Sequence, residues 1–401
     1  MAIDKNICPD CLGIEENFPK QVMNENKKKA LDAALKKINK QFGEGTVTTA
    51  AEANEKLTKR IIKTPSIELN KALYGGFGAI VELYGPESSG KTSLAIETLA
   101  EAQAADPNFV GAWLETEHSV TKDILEDHGV DLNRLVYWEQ EDTGNAESSL
   151  DIIRSLVNSG AVDMVIVNSV AGLAPKVETE DDLEKQNIAL TARLLSKFFR
   201  VITGPVGKNR ITMIFINQVR DKVGVMFGNP ETTGGGRALA FYSSIRIRVS
   251  RLKLQAADPI KETEGLKVHC KVWKNRFAGK HNPYTECDYY ARYDSGIDNI
   301  IAMPQLLLEA NIVRQAGAWW YYEDENGRPY NVGGIDCKFK SKNDFLDALR
   351  NNNVLRETLE NELNGIKPKS VSAEEIDAIN QQKANIERAM AENGELDGAE
   401  E

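Results

Sequence analysis

The stretch Gly85-Pro86-Glu87-Ser88-Ser89-Gly90-Lys91-Thr92 constrains this chain more than any other. It fits G-x-x-x-x-G-K-[ST], a loop that wraps a phosphate. Gly85 and Gly90 let the backbone curl so that several N–H groups point at one anion. Lys91 adds a point charge for the β- and γ-phosphates, and the Thr92 hydroxyl is placed to ligate Mg²⁺. The flanks agree. Ala79–Tyr84 reads as a buried strand, and Ser93–Ala105 has helical apolar spacing that puts a helix N-terminus, its positive end, at the phosphates. An ordinary Gly/Ser turn needs neither flank. The expected ligand is a nucleoside triphosphate with Mg²⁺, held by Gly85 through Thr92 and by Ser93 at the helix start.

The 401 residues are enough for two domains with appendages. There is no run of eighteen apolar residues, so no membrane partner is expected. Asp4, Lys5, Glu15 and Glu16 crowd an N-terminus without an apolar core, which reads as no signal peptide and a cytoplasmic protein. The net charge of −11 argues against a surface coated for duplex DNA but leaves room for a local basic groove.

Residues 1–23 read as an irregular extension. Its Cys8 and Cys11 form half of a zinc knuckle, but Cys270, Cys287 and Cys337 are isolated, so a reduced tail is the plainer reading. Residues 24–60 read as an amphipathic helix, with Leu31, Ala34, Leu35, Ile38 and Phe42 at helical spacing, followed by a linker. Such a helix cannot bury its own stripe. It packs on its own core or docks on the next copy, and head-to-tail docking generates filaments or rings. From 61 to 298 strand and helix patterns alternate, which implies a mostly parallel sheet covered by helices on both faces. Residues 299–366 read as a small α+β domain whose Lys338, Lys340 and Lys342 are most simply a solvated face, and 367–401 as a charged tail with an acidic end.

Ligands in such sheets bind beyond the carboxyl ends of the strands. Three strand ends there are polar: Glu115-Thr116-Glu117-His118, Asn168-Ser169 and Asn217-Gln218. A carboxylate can orient the attacking water, the second position is where P-loop ATPases place a Mg²⁺-holding aspartate, and an amide can sense the γ-phosphate. Any one could be a solvated strand end; three together with a P-loop favour function. Next comes Val219–Arg237, with five glycines, which reads as neither strand nor helix. Its cations Arg220, Lys222 and Arg237 and its apolar Val225, Met226 and Phe227 suit single-stranded nucleic acid, where cations track phosphates and apolar groups meet bases.

These residues resemble a family. Tyr84–Leu94, Glu115–His118, Gly160–Pro175 and Phe215–Gly236, in this order, are similar to the RecA-type homologous recombinases, and the likeness runs from about residue 24 to 365. It implies a P-loop RecA-like α/β core with an N-terminal oligomerisation helix on a linker and a small C-terminal α+β domain. Glu117 then stands at the catalytic glutamate and Gln218 at the γ-phosphate sensor. Lys274 and Arg276 stand at the cations that reach a neighbour's ATP, and Tyr293 at the aromatic near the base. Val219–Arg237 matches the second DNA-binding loop, including Gly234, Gly235 and Gly236, and Arg193 and Arg200 match strand-contacting positions. The segment Glu178–Gln186 is too acidic to carry over any DNA contact. The implied activity is DNA-dependent ATPase and strand exchange. The implied partners are single-stranded DNA, homologous double-stranded DNA and further copies of the chain in a helical filament. The sequence names no mediator protein.

Departures from the family pattern fall at three residues. Asn168 replaces the Mg²⁺-holding aspartate, so slow turnover is expected, and Asn168→Asp is expected to speed it. Asn168 also sustains the alternative of an ATP- and DNA-binding scaffold that hydrolyses little. Thr121 and Ile124 replace an Asp and a Tyr around adenine. The acidic tail, which ends in Glu392–Glu401, is expected to compete with DNA for the basic groove.

Overall fold

The computed structural model describes residues 23–53, 60–180, 189–221, 231–256 and 258–363. Cys8, Cys11, Lys222, Val225, Met226, Phe227, most of the acidic Glu178–Gln186 segment and the tail from residue 364 lie outside the described residues. The chain divides into two units at residues 59 and 60. Each is described by itself.

The first unit is built on one helix, Glu25–Phe42. Asn24 caps it by accepting from the Asn26 N–H, and Gly43, at φ +108°, ends it by donating to Asn39 O. No residue of this helix is buried, and Phe42 is 66% exposed.

The second unit holds a ten-stranded sheet. Its strands are β1 (Ile80–Gly85), β2 (Gly111–Glu115), β3 (Leu135–Glu139), β4 (Met164–Asn168), β5 (Thr212–Asp221), β6 (Glu231–Thr233), β7 (Ile245–Leu252), β8 (Gly265–Asn275), β9 (Glu286–Arg292) and β10 (Gly296–Ile297). The spatial order is β10-β9-β8-β7-β1-β5-β4-β2-β3, with β6 hanging on β5. The run from β7 to β3 is parallel, and β8, β9 and β10 extend it antiparallel. The central strands are apolar on both faces because helices cover both. Met164, Ile166, Ile214 and Ile216 pack with Leu94 and Leu99 of the Lys91–Ala105 helix. Val165, Val167, Met213 and Phe215 pack with Leu150 and Ile153 of the Ala146–Ser159 helix and with Phe199 and Ile202 of the Leu190–Asn209 helix. Strict alternation along β4 and β5 thus feeds two separate cores.

A third core sits in the C-terminal part, where Trp320, Phe339, Phe345 and Leu349 pack together. The helical run over residues 342–363 is two helices, Lys342–Asn351 and Asn353–Leu363. Asn352 breaks it in extended conformation while its side chain caps the second by accepting from Leu355 N–H. Among the described residues no helix is long and apolar enough to cross a membrane.

Candidate nucleotide site and nucleic-acid interface

Four adjacent strands deliver the site. Register pairs Gly85 of β1 with Gln218 of β5, and Asn168 of β4 with Glu115 of β2. The P-loop and all three polar strand ends therefore lie side by side at the carboxyl edge of the sheet, neighbouring strands being about 4.8 Å apart.

The P-loop needs its glycines for space and curvature. A Cβ on Gly85 would sit 1.9 Å from Val249 O, and Gly90, at φ +88°, is the N-cap of the Lys91–Ala105 helix. Lys91 Nζ donates to Gly85 O (3.1 Å), Pro86 O (2.5 Å) and Ser89 Oγ (3.4 Å), which holds the loop's curl from inside. Burial pushes the Lys91 ammonium below its ordinary value, with the Glu117 and Glu87 charges opposing. Pro86, Glu87 and Ser88 are exposed, Ser89 is buried, and Thr92 and Ser93 are half-buried at the helix start.

Beside the loop, Glu117 is exposed and its Oε1 accepts from Gln218 Nε2 at 2.9 Å and from the Ser169 hydroxyl. The carboxylate expected to orient water is thus bonded to the amide expected to sense the γ-phosphate. Behind them Thr92 Oγ1 lies 3.5 Å from Asn168 Oδ1, and the Asn168–Ser169 peptide is cis. Thr92 and Asn168 offer a hydroxyl and an amide oxygen, both hard ligands suited to Mg²⁺. Tyr293 is 60% exposed and shares with Ile124 a groove of about 660 Å³ along the Lys91–Ala105 helix. Thr121 caps the Lys122–Asp127 helix by accepting from the Ile124 N–H and lines a separate cavity.

Lys274 and Arg276 are not in this cluster. Val268 of β8 lies behind Gly90, with its Cγ2 3.4 Å from where a Cβ would be. Lys274 is six residues further along β8, about 20 Å away, at the opposite edge of the sheet. There Lys274 Nζ donates to Ala240 O (2.9 Å) and Phe241 O (2.8 Å), and Arg276 Nη2 to Phe241 O (3.1 Å). Burial, with Arg276 and Arg246 nearby, pulls Lys274 down to about 8.

The expected irregular loop Val219–Arg237 is a β-hairpin at its base, which corrects that reading. β5 continues to Asp221 and pairs antiparallel with β6 through Val219↔Thr233 and Arg220↔Thr232. Glu231 fastens it with a two-pronged bond to Arg248 of β7, at 2.7 and 2.6 Å. The five glycines masked this partnership, which is carried by a residue outside the loop. Gly234 O accepts from Asn217 Nδ2 at 3.1 Å. A Cβ on Gly235 or Gly236 would strike Leu195 or Ala192 at 2.6 or 2.7 Å, so these glycines seat the loop on the Leu190–Asn209 helix. Arg193 and Arg200 are exposed on that helix, with Lys197 exposed between them at helical spacing. Sequence reasoning missed Lys197, although the i, i+4, i+7 spacing carried the signal. Arg220 and Arg237 are exposed as well.

The family model for the RecA N-terminal domain matches residues 29–298. The RecA protein of Heliobacterium modesticaldum is 42% identical over 306 residues, 75% of this chain and 85% of that protein. The RecA protein of Clostridium acetobutylicum is 40% identical over 334 residues, 80% of this chain and 92% of that one. For Mycoplasma mycoides RecA the figures are 36% over 343 residues, 84% and 96%. The chain belongs to the RecA family. As a family member it is a DNA-dependent ATPase of recombination and repair, and the RecA-like α/β core expected from the sequence is the fold it has. RecA proteins as a family use ATP and Mg²⁺, bind single- and double-stranded DNA and form filaments.

Proposed function

We propose that this chain assembles head to tail on single-stranded DNA, closes each ATP site between two copies, and pairs the bound strand with homologous duplex for exchange. The observation that carries this reading is the division of the site along β8. Val268 backs the P-loop at one end, while Lys274 and Arg276 stand about 20 Å away at the other, out of reach of their own phosphate loop. A second copy docked with its P-loop against that end would receive both cations, as an arginine finger supplies charge in trans.

Within one copy, Gly85–Ser93 cradle the phosphates and Lys91 exchanges its loop carbonyls for the β/γ-phosphate oxygens. Glu117 accepts a hydrogen bond from the attacking water and aligns it. Gln218, bonded to Glu117, transmits the γ-phosphate's presence along β5 into the hairpin that begins at Val219. Mg²⁺ held by Thr92 and Asn168 would neutralise charge on the phosphates. Tyr293 packs on the base. Arg193, Lys197, Arg200, Arg220 and Arg237, with the glycine turn at Gly234–Gly236, form the surface that tracks the DNA strand.

Electron microscopy of the full chain with single-stranded DNA and ATP or a non-hydrolysable analogue tests the assembly, and a strand-exchange assay tests the reaction. Helical filaments with exchange are expected. Rings would favour a motor, and filaments without exchange or ATPase a scaffold, the reading that Asn168 keeps in play.

A further inference from the structure

Asn168 does not stand alone. Its Nδ2 donates to both oxygens of Glu115, at 3.1 and 2.9 Å, and Ser119 Oγ lies at 3.2 Å. Glu115 and Asn168 are both fully buried. Every other partner of Glu115 is also a donor: Trp113 Nε1 at 2.9 Å, Glu117 N–H at 2.9 Å, and the Ser119 N–H and hydroxyl at 3.4 and 3.5 Å. A carboxylate only accepts. The amide of Asn168 therefore has one permitted orientation, with its NH₂ against Glu115 and its Oδ1 toward Thr92.

An aspartate at this position would meet Glu115 differently. Its oxygens would replace Nδ2 at about 3 Å from another carboxylate in a buried site, where like charges repel strongly. The negative charge that an aspartate would bring to the cation is already present, one side chain further back.

We infer that Glu115 is a positioning residue for the cation site. It locks the Asn168 amide with its oxygen facing Thr92 and supplies, through that amide, the charge the amide lacks. The two residues act as one unit, and Asn168→Asp combined with Glu115→Gln makes the equivalent pair with the roles exchanged. This deepens the proposed nucleotide site and rests on that reading. It also reverses the expectation that Asn168→Asp alone speeds turnover.

The test uses the full-length chain and a fluorescent N-methylanthraniloyl-ATP, titrated in Mg²⁺ and in EDTA. The readout is the ratio of the two affinities, with the melting temperature recorded beside it. Loss of a partner behind a metal ligand costs about 10- to 100-fold in metal affinity. Asn168→Asp and Glu115→Gln should each shrink the wild-type ratio by at least about tenfold, and the double variant should return it to within about threefold. Asn168→Asp that matches or exceeds wild type would overturn the inference, even if Glu115→Gln does not fold. So would a double variant no better than the worse single, or melting temperatures that fall while the ratio holds. A wild-type chain that binds the analogue tightly but equally in both buffers also overturns it, while leaving the nucleotide site standing. No binding in either buffer overturns both.

Discussion

At the carboxyl edge of the sheet Lys91 bonds to carbonyls of its own loop, whereas at the opposite edge Lys274 and Arg276 bond to carbonyls at the end of a helix that follows the glycine-rich loop. Both arrangements keep cations on neutral oxygens. They differ in what surrounds them. Lys91 is buried, its loop is fixed by the close approach of Gly85 to Val249, and the charge of Glu117, itself bonded to Gln218, acts on it. Lys274 is half-buried, Arg276 is exposed, and neither has a carboxylate partner among the described residues. A phosphate makes a stronger, charge-assisted bond than a peptide carbonyl. One edge holds its lysine inside a fixed, curled loop. The other holds two charges on partners that an incoming phosphate can displace.

The largest effect should come from breaking the contrast by mixing copies. Lys274→Ala with Arg276→Ala should lower DNA-stimulated ATPase about 10³-fold, the scale of a charge supplied in trans. Adding copies that carry Lys91→Ala should then restore activity at about a quarter of the sites if copies mix at random, because each defect sits on a different face. No restoration would place both cations in their own copy's site. A smaller loss, about 10²-fold in turnover, is expected for Lys91→Ala alone, the scale of one preorganised donor. Steady-state ATPase measures it, and a loss under about threefold would demote this lysine to a loop brace.

The third prediction uses pH. Lys274 is held down to about 8, so it loses its proton as pH rises through that value, while an arginine does not. DNA-stimulated ATPase should fall on that alkaline limb, and Lys274→Arg should move the fall upward. Identical profiles would assign the limb to another group. The smallest effect belongs to His118, next to Glu117, whose ring faces Glu139 and Glu141 at 3.2 Å each. The Glu141 hydrogen bond and charge raise its value above the ordinary 6.5, with Glu139 assisting. Its stabilisation is therefore full below 6.5 and disappears as pH rises through the raised value. His118→Gln should leave a melting temperature that changes less between mildly acid and alkaline buffer than the wild type's. An equal change would remove this contact from the account.

Much of the carboxyl edge was legible because its information is local. The P-loop spacing, the β-branched runs before Asn168 and Asn217, and the polar residue ending each strand lie within a few positions of one another. What escaped depends on residues far apart in the chain. Glu115 and Asn168 are 53 positions apart, and only the β2–β4 register brings them together. The base of the glycine-rich loop is a hairpin because Glu231 meets Arg248 on another strand. The break at Asn352 turns on one capping side chain in an otherwise continuous helical pattern. The resemblance implied a trans role for Lys274 and Arg276. Their hold on Ala240 and Phe241 was invisible to it, since both partners are backbone carbonyls that any sequence provides.

β8 has a consequence for counting. If each copy lends its Lys274 and Arg276 to the next, a run of copies on DNA contains one fewer complete site than it has members. The copy at one tip has a P-loop but no donor, and the copy at the other tip has donors but no taker. Short runs would then hydrolyse less ATP per copy than long ones, and the two tips of a run would behave differently although every copy in it is the same.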